Sequence, residues 1–373
     1  MNPGLLIKLR PAGPWRIGPD SGARNKVDVI YHSDSLFSAV TGALARMGGL
    51  DEWLDATARA SVPAVCFSSC FPFLDEIGFV IPPRTTWPPV SPSLMSAGVR
   101  WKSARFVPLS VVQTLLAGQP LDRDQWSVDG ASACLVPAGR PGPFRTGMRW
   151  SAAVDRLSGA SERHGVACLE FRPGAGLWTV VSFSDEAARD RWLEPVKSAF
   201  RLLADSGFGG ERSRGWGRAE APEFTEGVLP DLIVPPGRDP VEVPPAEPPA
   251  ADAEPAPELQ PPAPEPAPEA AAEPEPAPAG LHAHWLLSLF APAPADSVDW
   301  TRGNYVVLAR GGRVESPAGS GELKKQVRML AEGSVVYAPV VPCGAAADVA
   351  PDGFAHPVFR AGFALAIPLP EVR

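Results

Sequence analysis

Twelve residues, GFGGERSRGWGR from Gly207 to Arg218, combine five glycines, three arginines and a tryptophan. Glycine lets the backbone take positive φ and approach other groups closely. Successive amides in such a turn can form a concave anion nest. Arg212, Arg214 and Arg218 add planar donors that suit phosphate, and Trp216 offers a ring on which a base can stack. The set of Gly207, Gly209, Gly210, Arg212, Ser213, Arg214, Trp216 and Arg218 therefore predicts an anion-binding loop. It lies between a helical pattern and a strand pattern and has no Lys-Ser/Thr pair. Neither a P-loop nor a dinucleotide-binding turn fits that context. A polymeric anion, single-stranded nucleic acid, remains. The plain alternative is a flexible surface turn, which does not call for three arginines and a tryptophan.

Three further stretches could share that chemistry. VRWKSARF places Arg100 and Lys102 beside Trp101, and TGMRWSAAVDRLSG places Arg149 and Arg156 around Trp150. Arginine interleaved with aromatics is a common composition of single-strand binding faces, although either run alone reads as a solvated face. YHSDSLF sets His32, Ser33 and Asp34 at a helix start. His32 has three open readings: cap or structure, RNA contact, and general acid–base catalysis, which needs a partner within reach. His282 and His284 are two apart but have no nearby carboxylate or cysteine partner for a metal. No GxSxG, HExxH or kinase-like set occurs. These residues predict no catalytic constellation, no cofactor and no metal.

The elements that must position these residues follow from periodicity. LLIKLRP reads as a strand. Ser33 or Asp34 caps a helix with Leu36, Phe37, Val40, Ala43, Leu44 and Met47 at helical spacing, ending at Gly48-Gly49. AVCFSSCF reads as a strand and LSVVQTLLAG as a short helix. VACLEF and LWTVVSF read as an antiparallel hairpin joined by RPGAG. A helix after Asp185 carries Trp192, Val196, Ala199, Phe200 and Leu203 on one face, and a last strand lies near Glu220–Phe224. Strand, helix, strand, strand, helix, strand is the ferredoxin-like order. Further on, HWLLSLFAP, NYVVLARGGRVE, SVVYAPVVP and FALAIPLP read as strands and LKKQVRMLAEG as a short helix. The fold class predicted is α+β, with two ferredoxin-like (RRM-like) domains joined by a Pro/Ala/Glu linker. Their bounds are 1–237, 238–280 for the linker, and 281–373.

Length and charge agree with that division. A chain of 373 residues can bury two sizeable cores. Residues 239–280 hold ten acids, fifteen prolines and no base. Such a segment predicts an extended acidic spacer, repelled by RNA. Without it the 34 bases face 32 acids, so the formal charge of −8 becomes +2. Five scattered cysteines form no CxxC unit, which argues against disulfides and zinc and for buried thiols. No apolar run approaches the roughly 20 residues of a membrane helix, and the N-terminus lacks a signal-peptide pattern. The expectation is a cytoplasmic protein without membrane contact.

The ordered set of motifs resembles a known family. A GFGG-x-R-S-x-G-x-G-R loop after the last helix of a ferredoxin-like domain is similar to the signature loop of the RAMP superfamily of CRISPR proteins. IYHSDSLFSAV, CFSSCFPFLD, VRWKSARFVPLS and RWSAAVDRLSG resemble, in order, stretches of its Cas5-like group, as in subunit four of type III-A (Csm) complexes. LLSLFAP, ARGGRVES, MLAEGSVV and HPVFRAGFALAIP resemble that group's C-terminal part. The resemblance implies a non-catalytic subunit that grips the 5′ handle of the crRNA, beside the large polymerase-like Cas subunit and the first backbone RAMP subunit, with target RNA met through the complex. It implies handle phosphates at the Gly-rich loop, His32, Ser33 and Asp34 beside the handle, and a thumb around Arg149–Arg156. The basic run at Arg100 and Lys102 is thinner than the family's, and the long acidic insert is unusual in it. A stand-alone RAMP endoribonuclease using His32, or the equivalent subunit of a type III-B or III-D complex, are the alternatives.

Overall fold

In the first strand, β1 (Asn2–Leu9), Leu5, Ile7 and Leu9 alternate inward and are fully buried, as a period of two requires. The computed structural model describes residues 2–19, 22–89, 101–122, 124–235, 280–316 and 319–370. Helix α1 (Ser33–Arg46) buries Leu36, Phe37, Val40, Ala43 and Leu44, and a short α2 (Leu50–Ala56) adds Trp53. Strands β2 (Val65–Phe67), β3 (Phe71–Leu74), β4 (Ile77–Val80) and β5 (Val107–Pro108) lead to α3 (Leu109–Leu116). A small hairpin, β6 (Trp126–Asp129) with β7 (Cys134–Pro137), precedes a long one, β8 (Phe144–Val154) with β9 (Ser161–Phe171). Then come β10 (Ala175–Phe183), α4 (Glu186–Ser206) and β11 (Glu223–Leu229). The Asp185 carboxylate caps α4 by accepting from the Ala188 N–H at 2.7 Å.

The main sheet runs β11-β1-β10-β3-β4-β5, with β2 also on β10. Its pairs are antiparallel. Helices α1 and α4 pack together beside it through aromatics: Phe37 on Trp53 at 5.7 Å, Trp53 on Trp192 at 5.2 Å, Phe67 on Phe200 at 6.3 Å. Each such ring contributes roughly 1.5–3 kcal/mol by leaving water.

The C-terminal part is built of strands: β12 (His282–Leu286), β13 (Asp299–Asn304), β14 (Val307–Arg310), β15 (Arg313–Ser316), β16 (Gly319–Leu323), β17 (Val327–Leu330), β18 (Val335–Ala338), β19 (Gly344–Asp348), β20 (Phe359–Phe363) and β21 (Ala366–Pro368). A sheet of order β13-β18-β12-β21 is flanked by the pairs β14–β17, β15–β16 and β19–β20. Buried Trp285, Leu287, Phe363, Leu365 and Ile367 of this C-terminal part join the same core as the N-terminal part. Phe363 meets Phe37 edge-on at 5.5 Å, and the Trp285 indole donates to the Ile81 carbonyl at 3.1 Å.

The α+β class holds, with three local corrections. VACLEF and LWTVVSF do not pair: β9 pairs with β8, and β10 is a central strand between β1 and β3. LKKQVRMLAEG is not a helix, because β17 pairs with β14 there; the described C-terminal residues contain no helix. Neither Ser33 nor Asp34 is the cap of α1; extended His32 holds that position without a side-chain cap bond. The segment read as a linker, 238–280, lies outside the described residues except for Gly280. Among the described residues no helix is long and apolar enough to cross a membrane.

Candidate nucleic-acid interface

The Gly-rich loop begins at the C-cap of α4, where Gly207 takes φ +95°. Gly209 is at +72°, and a Cβ there would strike the Arg16 carbonyl oxygen. A Cβ on Gly217, at +78°, would strike the Phe208 backbone. These glycines are needed for close backbone approach. The approach is used: Gly210 N–H donates to Arg16 O at 2.8 Å, Phe208 N–H to Gly217 O at 2.9 Å, and Gly217 N–H to Pro14 O at 3.0 Å. Several loop amides therefore tie the loop to the chain rather than form an open nest. Arg16 anchors it from below. Its buried guanidinium donates to the carbonyls of Ala23, Arg24 and Ala167 at 3.0–3.1 Å. Burial holds its pKa below the ordinary guanidinium value.

Fixed this way, the loop presents a turn at Arg212–Arg214 to two neighbours. On one side lies an open cleft of about 730 Å³. Its lining includes Gly207, Gly209 and Arg212 of the loop, Ser38, Gly42 and Arg46 of α1, and Arg313 of β15 with Lys324 after β16. Tyr31, with its hydroxyl buried and its pKa raised by burial, lies at the base. Among the described residues, four cations and no carboxylate line this cleft. On the other side, the Arg214 guanidinium approaches Ser151 Oγ of β8 at 3.5 Å, and Ser151 Oγ lies 3.1 Å from His164 Nε2. Glu211 holds Arg214 at 3.2 Å. Ser213 and Arg218 are exposed and Trp216 is half-buried.

The other predicted residues fall elsewhere. Arg149 pairs with Glu170 at 2.7 Å on the hairpin, and Arg156 sits exposed at its tip. On the opposite hairpin face the Trp150 ring, 56% exposed, carries the Arg163 guanidinium at 4.1 Å. Lys102 is exposed in a short turn that does not line the cleft, and Arg100 lies outside the described residues. Among the described residues no group of three or more His, Cys, Asp or Glu could hold a metal.

His32, Ser33 and Asp34 are 3%, 5% and 2% exposed. They join the two parts of the chain. Asp34 accepts a bidentate pair of bonds from Arg310 at 3.0 and 3.1 Å and a further one from Arg360. Burial would raise this carboxyl, but the two guanidinium groups hold it well below the usual carboxylate range. Ser33 Oγ accepts from the Leu289 N–H at 3.0 Å. His32 Nδ1 lies 2.6 Å from Glu332 Oε1, and Nε2 lies 3.3 Å from Asp28 Oδ2. Burial would lower the imidazole, yet Glu332 and Asp28 lift it to about 9. Glu332 in turn is held below its ordinary value against burial by His32, and accepts from Ser69 Oγ. Burial pushes the Cys66 thiol up to about 12. The sequence reading missed Arg46, Gly42, Arg313 and Lys324. Arg46 had a signal, the last basic position of a clear helix; Lys324 sat in a stretch read only for secondary structure, and Arg313 in ARGGRVES, which reads as a strand and as a family-like stretch but not as a site.

Residues 281–369 match the family of the CRISPR Csm4 C-terminal domain. The C-terminal part of the chain is thus Csm4-like. Its fold is similar to a chain of the Csm3–Csm4 subcomplex of a type III-A CRISPR-Cas interference complex, with TM-score 0.58 and 13% identity over 98% of this chain and 99% of that one. It is also similar to a chain of the Csm1–Csm4 cassette solved with cA4, with TM-score 0.53 and 16% identity over 100% and 99%. The cassette solved with pppApA gives TM-score 0.51 and 17% identity over 99% and 100%. No curated protein sequence matches the chain.

Proposed function

We propose that this Csm4-like chain is a non-catalytic RNA-binding subunit of a type III CRISPR effector complex. It holds the 5′ handle of the crRNA at the Gly-rich loop and joins the large polymerase-like subunit to the backbone RAMP subunits. The carrying observation is the cleft lined, among the described residues, by four cations and no carboxylate, with loop residues Gly207, Gly209 and Arg212 in its lining. Such a surface attracts a polyanion. The order β11-β1-β10-β3, with α1 and α4 inserted after β1 and β10, supports reading the N-terminal part as a ferredoxin-like RAMP domain. The similar solved chains stand in Csm1–Csm4 and Csm3–Csm4 assemblies, which supports the two protein partners.

Burial weakens the endoribonuclease reading. Both ring nitrogens of His32 are engaged by carboxylates, and the ring is 3% exposed. A general acid or base must reach the substrate. The test is binding and cleavage of a single-stranded handle RNA by the full chain, wild type against Arg212→Ala/Arg214→Ala, at two salt concentrations. Two lost phosphate contacts predict a log–log salt slope shallower by about 1.4, with the RNA intact in both cases. Equal binding by the variant, or RNA cut in a His32-dependent way, would remove this reading.

A further inference from the structure

We propose that the C-terminal hairpin β15–β16 is the second jaw of the RNA site, so that one strand of RNA is held by its phosphates between the two parts of the chain. The inference rests on the reading above, and it assigns a role to the far side of the cleft, where Arg313 lies in the family-like ARGGRVES stretch and Lys324 lies outside every such stretch.

Cations reach the cleft from separate places in the chain: Arg46 from the end of α1, Arg212 from the loop, and Arg313 and Lys324 from the two ends of the hairpin. The far wall is a built one. Arg313 donates to the Gly321 carbonyl across the hairpin, and the Lys324 N–H donates to Gly312 O at 2.9 Å. The hairpin follows directly from the buried latch. Arg310, three residues before the start of β15, is clamped on Asp34 at the start of α1, and Arg360 bonds both Asp34 and the Gly311 carbonyl. The spacing between jaw and floor is thereby fixed by buried ion pairs. This makes Asp34 a positioning residue for the cleft.

The floor says what enters. Ser38, Ala39, Gly42 and Ala45 carry little side chain, and the one ring, Tyr31, is 5% exposed. Among the described residues lining the cleft no exposed aromatic is offered for base stacking, so the chemistry recognised there is the sugar–phosphate backbone rather than the bases. A cleft of about 730 Å³ is of the size that encloses a small ligand and cannot enclose a duplex. Gly42 sits within a helix, where glycine is unfavourable. Among the described residues, a Cβ there would meet no atom within 4 Å beyond its chain neighbours and its own helix backbone, so packing does not require the glycine. A strand lying close over the helix would.

The test titrates a labelled single-stranded RNA of about ten nucleotides and mixed sequence, and its duplex, with the full chain. The variants are Arg313→Ala/Lys324→Ala, Gly42→Leu and Arg212→Ala. The proposal expects roughly tenfold or greater weakening for the first two, with thermal midpoints unchanged or, for Gly42→Leu, raised. It also expects a salt slope shallower by about 1.4 for the double variant, and little dependence on base identity. If Arg212→Ala weakens binding while both other variants bind as wild type, the strand lies on the loop wall alone; the second jaw is then wrong and the RNA-binding reading stands. If none of the three changes binding, both are wrong. If the duplex binds as tightly as the single strand, the narrow two-walled site is wrong.

Discussion

Asp34 shows how a residue that looks functional in sequence can be structural in the fold. A buried carboxylate is tolerable only with partners, and here two arginines supply them. Those partners lie 276 and 326 residues along the chain, so no local pattern could expose the latch. Removing the carboxylate would leave two buried guanidinium groups facing each other. Asp34→Ala is expected to cost about 3–5 kcal/mol, read as a lowered midpoint in urea unfolding at pH 7. The His32 site carries its own signature. Its pKa is raised from the ordinary 6.5 to about 9, so its contribution is complete below about pH 6.5 and is lost as the pH rises through 9. Wild type should therefore lose stability between pH 7 and 10 more steeply than His32→Gln. Parallel pH profiles of the two proteins would contradict the buried ion pair with Glu332.

Among the elements, those burying a single face were legible. Helices α1 and α4 show their apolar stripes at helical spacing, and the Asp185 cap marks the start of α4. The central strand β10 buries nearly every residue, so its partner could not be read from alternation, and the nearest apolar run, β9, was the natural wrong choice. In LKKQVRMLAEG strong helix formers yield to pairing with β14 and a bridge to Phe290. The Gly-rich loop was legible as a loop and as a basic site, but its amides serve internal bonds that sequence cannot show. That geometry makes a prediction. Gly209→Ala forces a Cβ onto Arg16 O at positive φ, which should cost more than about 1 kcal/mol and weaken RNA binding by displacing Arg212. A variant with wild-type stability and affinity would show that the loop is not held by that contact.

At the scale of the whole molecule, two sequence parts share one core and one latch, and the cleft exists only because both contribute walls. The loop side of the cleft was legible, through Arg212 and its glycines. The opposite side was not, because it depends on which distant residues, Arg313 and Lys324, come to line the same cleft as α1. The acidic stretch of 239–280 masks the balance of bases over acids elsewhere in the net charge. The central claim is that a single RNA strand runs along this loop and cleft. The most direct measurement is photo-crosslinking of a single-stranded handle RNA to the full chain, followed by mapping of the crosslinked peptides. The account predicts crosslinks within 207–218 and 313–324, lost in Arg212→Ala/Arg214→Ala. Crosslinks confined to other surfaces, or unchanged in that variant, would contradict it.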